Sequence, residues 1–266
     1  MGNQPLRAIW SGRVQLVRGD DVLSHERMLS VLDLFDLEHA EWSFDALYSR
    51  LGFSRSTLYR YLKTLTDAGL LTTFPGRGYT LGPRIIELDY QIVTTDPLIH
   101  VARPVMNELV AGYSGVSLLC RRYRQKVLCV HQEVSTSQFR STYERGKARP
   151  LLLGAASLAI LAHISPYQLA KLHQELPQDF ASAGLGESLS QVRDTLKQIR
   201  QKGWIKTEGQ VTPGVTGIAA PIFDAKDEII GSLSLTLPEA RIADDGVNVI
   251  GERVQFCARI ISKSLV

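Results

Sequence analysis

The sequence predicts an α+β protein built in two parts. Three observations carry that prediction: two short helical patterns closed by Gly52 and Gly69, a strand-turn-strand run directly after them, and, beyond Ser114, strand-like runs alternating with helical ones. Residues 23–82 read as a winged helix-turn-helix, residues 83–96 as a linker helix, and residues 97–266 as a larger domain with an antiparallel sheet; residues 1–22 form an N-terminal arm.

Within the first part, a helix is expected over residues 25–37, where Met28, Leu32 and Phe35 recur at helical spacing and the other face is acidic. Ser43 caps a second helix, residues 44–51, whose Phe44, Leu47 and Leu51 share a face, and Gly52 suits a left-handed C-terminal position. Ser54 caps a third helix that runs to about Ala68, with Leu58, Leu62 and Leu65 as its inner stripe, Tyr61 beside it, and Gly69 as its stop. Residues 70–74 and Tyr79-Thr80-Leu81 read as strands around the turn Pro75-Gly76-Arg77-Gly78, which makes the wing.

Ile85, Ile86, Leu88 and Ile92 give the linker helix an apolar seam; Asp96-Pro97 then caps the next helix, which Pro104 is expected to kink or interrupt. Strands follow at 116–120, 127–132, 217–223 and 229–237, and helices at 154–163, 166–175, 187–201 and 244–264.

Composition excludes little. The chain has 266 residues, of which 44% are hydrophobic and 21% charged, an ordinary globular balance, and its net charge of +3 is too small to name a partner. No apolar run approaches the ~18 residues of a membrane span, so a cytoplasmic protein without membrane contact is expected. Cys120, Cys129 and Cys257 form no CxxC pair and read as buried thiols, with a redox sensor as the alternative. The histidines show no HxxxH or HExxH spacing, and GxSxG, P-loop and GxGxxG motifs are missing, so neither an enzyme nor a cofactor or metal site is expected.

Charge placement says more than charge sum. Residues 23–82 carry six Lys or Arg against seven Asp or Glu, yet between Ala46 and Thr66 there are four basic residues and no acid. The acids Glu26, Asp33, Asp36, Glu38, Glu41 and Asp45 lie earlier, on a side expected to face away from phosphate. With the leucines inward, the third helix presents Arg55, Ser56, Tyr59, Arg60 and Lys63 outward, next to Ser54 and Thr57 at its start and Arg77 in the wing. A helix fits the major groove, Arg donates two bonds to a guanine edge, and Ser, Tyr and Lys bind phosphate or bases, so duplex DNA is the expected partner. A solvated basic face is the plainer reading, and a winged helix that binds another protein is the alternative from a different class. Arg7, Arg13 and Arg18 read either as a functionless tail or as an arm reaching DNA.

Ser24-His25-Glu26-Arg27, Gly52-Phe53-Ser54-Arg55-Ser56-Thr57-Leu58-Tyr59-Arg60 and Tyr79-Thr80-Leu81-Gly82-Pro83-Arg84 resemble the DNA-binding domain of IclR-type bacterial regulators, and Ala102-Arg103-Pro104 and Gly214-Val215-Thr216-Gly217-Ile218-Ala219-Ala220-Pro221 extend the likeness over about residues 23–264. The resemblance implies a transcription regulator with a linker helix used in dimerisation, a homodimer or dimer of dimers on an operator, and a GAF-like domain that binds a small-molecule effector. It places effector contacts at Gln138, Ser141, Arg149, Gly154, Ala155, Ala156, Thr207, Val215 and Gly217.

The chain departs from the family where polar residues and a Lys usually surround the helix start, an acid stands near 207 and a Cys near 217; here are Leu152, Leu153, Gly154, Leu158, Thr207 and Gly217. More apolar lining and small residues at 154–156 suggest a bulkier, aromatic ligand. The N–H groups at 154–156 and Arg149 suit a carboxylate. Residues 121–149 hold eight Lys or Arg against two acids, which fits an anionic effector, a solvated face or a second DNA contact.

Overall fold

The structure is a computed structural model that describes residues 23–74, 76–135, 143–242 and 246–265. The arginines of the arm, together with Gln138 and Ser141, lie outside the described residues. The chain divides into two compact units, residues 1–95 and 96–266.

In the first unit, α1 (Ser24–Leu29) is followed by a 3-10 turn at Leu32–Leu34, α2 (Phe44–Leu51), α3 (Arg55–Asp67), β1 (Leu71–Thr73), β2 (Tyr79–Leu81) and α4 (Pro83–Thr95). The leucine stripes of α2 and α3 meet as read from the sequence: Leu47, Leu51, Leu58, Leu62 and Leu65 are buried together with Val31, Leu34 and Leu71. Both N-caps are made, with Ser43 accepting from Ala46 N–H and Ser54 from Thr57 N–H, and Gly52 closes α2 in the left-handed conformation at φ 68°.

The single helix expected over 25–37 breaks into α1 and the 3-10 turn. Val31, Leu34 and Phe35 N–H groups bond three residues back, and the Asp36 carboxylate takes the N–H groups of Glu38 and His39, which ends the segment. The tighter turn buries Val31 and Leu34, while Met28, Leu32 and Phe35 are left half-buried at the margin. A strand contact not foreseen from the sequence joins the wing: Trp42 and Tyr79 exchange backbone bonds of 3.0 and 2.7 Å. Gly78 is required there, because a Cβ would lie 2.2 Å from the Trp42 carbonyl oxygen. No residue of α4 is buried, and Ile86 and Tyr90 are 74% and 71% exposed.

The second unit contains α5 (Pro97–Gly112), β3 (Val116–Tyr123), β4 (Lys126–Val134), β5 (Ala148–Pro150), α6 (Ala155–Leu161), α7 (Pro166–Glu175), α8 (Pro177–Ser182), α9 (Leu189–Lys202), β6 (Ile205–Glu208), β7 (Val215–Phe223), β8 (Ile229–Pro238) and α10 (Gly246–Lys263). Its six strands lie in the order β5-β4-β3-β8-β7-β6 with every pairing antiparallel, so two hairpins are joined through β3 and β8. The short β5, β6 and α8 had no periodicity long enough to read.

Of the kink or interruption expected at Pro104, the interruption does not occur: α5 runs through it. Pro104 sits on the solvent face between buried Ala102 and Met106, where the lost backbone bond costs least, and burial of Leu98, Ile99, Ala102, Met106 and Leu109 holds the helix together. The strands alternate cleanly. Leu119, Ile218, Ala220, Ile222, Leu233, Leu235 and Leu237 pack with α5 and α10 on one face. On the other face, Leu118 and Cys120 join a core with α6, α7 and α9. That same face carries the β8 hydroxyls of Ser232, Ser234 and Thr236, all buried.

Candidate nucleic-acid interface and ligand cavity

The outer face of α3 is built as its sequence dictates. Leu58, Tyr61, Leu62 and Leu65 turn inward, which leaves Arg55, Ser56, Tyr59, Arg60 and Lys63 exposed on the opposite side, and Arg77 is exposed in the wing. Tyr59, 62% exposed, offers both a ring face and a hydroxyl. Ser54 and Thr57 are committed to shaping the helix start: the Ser54 hydroxyl accepts from Thr57 N–H at 3.2 Å and donates to Thr57 Oγ1 at 2.9 Å.

One expectation is corrected here. Asp45 does not face away from the basic surface, because it forms a 3.2 Å ion pair with Arg55, whose guanidinium also lies 4.9 Å from the Phe44 ring and 5.3 Å from the Tyr48 ring. From the start of α3 the Arg55 side chain reaches back along α2, by Tyr48 and Phe44, to its first turn, and this brings acid and base together. Lys63 pairs with Asp67 one turn on at 3.1 Å. Both pairs are exposed, and such pairs contribute only about 0.2–1 kcal/mol, which a phosphate readily outcompetes.

The larger unit holds a cavity of about 40 Å³ between the start of α6, the β7–β8 face and the loop after β6. Six residues that the resemblance placed in the effector site, Gly154, Ala155, Ala156, Thr207, Val215 and Gly217, line it together. Arg149 is not among them: it stands one side chain behind, its guanidinium 5.2 Å from the ring of Tyr143, which does line the cavity. Burial holds the Tyr143 phenol neutral and lowers the Arg149 pKa; Tyr143 donates to the Val127 carbonyl at 2.8 Å.

The small residues at 154–156 do not open a roomy apolar pocket as expected. At Gly154 a Cβ would fall 2.8 Å from Val211 Cγ2, so the glycine admits that valine, and Ala155 packs near Gly217. The N–H groups at the helix start are already engaged, Gly154 N–H with Gln210 Oε1 at 3.1 Å and Ala155 N–H with Thr207 Oγ1 at 3.1 Å. The rest of the wall is rich in hydroxyls, with Ser157, Thr212, Ser234 and Thr236. The alternation Ser232, Ser234, Thr236 against Leu233, Leu235, Leu237 was a readable signal for a buried polar face; Gln210 and Val211, in a loop without period, left none.

Residues 24–74 match the IclR helix-turn-helix domain, and residues 90–263 match the C-terminal domain of the bacterial transcriptional regulator IclR. The chain belongs to the IclR family. As a member it is a transcription regulator with a helix-turn-helix DNA-binding domain, and the family is one of regulators, not enzymes. It is 26% identical over 239 residues to the HTH-type transcriptional regulator BhcR of Paracoccus denitrificans, covering 89% of this chain and 85% of that protein. Its fold is similar to that of an IclR transcriptional regulator from Alicyclobacillus acidocaldarius, with a TM-score of 0.75 at 20% identity over 92% of this chain and 99% of the other. A further IclR homolog, from Microbacterium hydrocarbonoxydans, was solved in complex with 4-hydroxybenzoate; it aligns with a TM-score of 0.71 at 19% identity over 91% and 99% of the two chains. Among the described residues, no helix is long and apolar enough to cross a membrane.

Proposed function

We propose that this IclR-family regulator reads an operator by laying α3 in the major groove. Arg55, Ser56, Tyr59, Arg60 and Lys63 meet base edges and phosphates, Ser54 and Thr57 fix the start of the helix, and Arg77 of the wing reaches the DNA backbone. The observation that carries this reading is the two-faced helix itself: four core side chains on one side and five exposed donor groups on the other. Gel-shift titration against the gene's own upstream region tests it. Arg60→Ala is expected to cost about 1–3 kcal/mol on the preferred site and to relax preference among sites. Lys63→Ala is expected to weaken all sequences alike and to lower the salt slope by about 1. A winged helix that binds a protein instead predicts no shift at any salt concentration, and that outcome overturns the reading.

The effector of the larger domain is, on this reading, a small carboxylated aromatic metabolite held at the start of α6 by Gly154, Ala155, Ala156, Thr207, Val215 and Gly217, with Gln138, Ser141 and Arg149 around them. Supporting it are the convergence of six of these residues on one cavity, the cationic Arg149 behind Tyr143, and the 4-hydroxybenzoate held by the Microbacterium homolog. The chain works in the cytoplasm as a homodimer joined through α4, or as a dimer of such dimers, so that two reading heads meet a palindromic site about one helical turn, ~34 Å, apart.

A further inference from the structure

The cavity is narrowed by the protein's own chain. At about 40 Å³ it has room for roughly three waters at ~10–15 Å³ each, far below the ~300 Å³ at which small-molecule pockets begin. One side of it is formed by the connection between β6 and β7, residues 209–214, through Gln210, Val211 and Thr212. Val211 presses on Gly154, and the side chain of Gln210 reaches in to accept the Gly154 N–H at 3.1 Å.

This connection is a short loop with a glycine at each end. Its ends are tied together at the neck by the Gly209 N–H to Val215 carbonyl bond of 3.0 Å, which continues the β6–β7 ladder. Both terminal residues are glycines with positive φ, Gly209 at 63° and Gly214 at 71°. A Cβ at Gly214 would meet nothing within 4 Å, and one at Gly209 would meet only Glu239 Oε1 at 3.9 Å, so no side-chain packing crowds either end, and the tie from outside the loop at Gly214 is its carbonyl accepting the Glu239 N–H at 3.0 Å. Glycine at such points permits large backbone rotation at little cost. Gln210, Pro213 and Gly214 face solvent, so opening exposes little apolar surface beyond Val211. Beneath the loop, Ser157 Oγ is fully buried, lines the cavity and has no hydrogen-bond partner among the described residues, a polar group that an incoming molecule would satisfy.

We propose that residues 209–214 are a glycine-hinged lid over the effector cavity and that Gln210 is its latch: a ligand of effector size is admitted only when the Gln210–Gly154 bond breaks and Val211 swings out. The inference rests on the reading of this cavity as the effector site. The lid thereby sets which ligands the domain accepts, since every candidate competes with the same amide side chain and the same valine, while the walls of the cavity stay fixed by the sheet and α6.

Hydrogen–deuterium exchange on the full-length protein tests the latch without any ligand. Gln210→Ala, at a solvent-facing position, is expected to speed exchange roughly 2- to 10-fold in peptides covering 209–216 and 151–157, the loss expected for one hydrogen bond, while β7, β8 and α10 exchange as before. Unchanged rates in both peptides overturn the lid. The second arm uses benzoate as a probe, followed by calorimetry in wild type, Gln210→Ala and Gly217→Val, the last adding bulk to the cavity lining where a Cβ would stand 3.5 Å from Ala155 Cβ and Thr207 Oγ1. Tighter binding to Gln210→Ala and loss of binding to Gly217→Val support lid and site together. Faster exchange in Gln210→Ala with no benzoate binding to any variant supports the lid and rejects the carboxylated aromatic as ligand class; benzoate bound equally by wild type and Gln210→Ala rejects the latch.

Discussion

Arg55 and Arg149 show what a neighbour does to a cation that the sequence places on a binding surface. Arg55 is already held, by Asp45 at 3.2 Å and by two aromatic rings, so it is pre-aimed rather than free to sweep the surface. Phosphate must exchange it out of that pair. Arg149 lies against Tyr143, behind the cavity wall, where burial already weakens its charged form. Its effect on a ligand therefore runs through the phenol and the local field. Arg149→Ala is expected to reduce, not abolish, the rise in melting temperature that a carboxylated aromatic produces; a ligand-induced shift identical to wild type would remove Arg149 from the site. Arg149's basic character was legible in the sequence, but its distance from the cavity was not, because that depends on the register in which β5 pairs with β4, which sets Arg149 opposite Val127.

At the scale of elements, close backbone approach decides more than propensity does. α10 crosses Trp204 so closely that a Cβ on Gly251 would stand 2.3 Å from the indole ring, and that ring is 3% exposed with no room to retreat. Gly251→Ala is expected to destabilise the larger unit by about 1–3 kcal/mol, the usual penalty for overpacking, visible as a lower urea midpoint by circular dichroism. An unchanged midpoint would mean that the indole repacks freely. The α2 and α3 boundaries were legible because Ser43, Gly52 and Ser54 mark them by chemistry that works locally. The split of the first helix into α1 and a 3-10 turn was not, since Met28, Leu32 and Phe35 keep helical spacing and only the burial of Val31 and Leu34 chooses the tighter turn. The uninterrupted α5 teaches the same lesson: Pro104 breaks one bond, and the buried stripe on the opposite face outweighs it.

For the whole molecule, α4 bears on assembly. Its thirteen residues include none that is buried, and Ile86, Tyr90 and Ile92 stand exposed at a cost in apolar hydration that a second copy would relieve. Light scattering at micromolar concentration is expected to give a dimer or a multiple of it, and Ile86→Glu to shift the population toward monomer; a monomeric wild type contradicts dimerisation through α4. By itself, the sequence determined the two-part α+β organisation, the caps and glycine stops of the helix-turn-helix, and the leucine and donor faces of α3, because each follows from periodicity and short-range chemistry within a few residues. Only the tertiary structure decided that Asp45 reaches Arg55, that Arg149 stands behind Tyr143, and that Gln210 and Val211 narrow the cavity at Gly154. Those contacts join residues that lie up to 57 positions apart in the chain, and the packing of a loop or a strand face against its partner is set by the whole core and not by any local pattern.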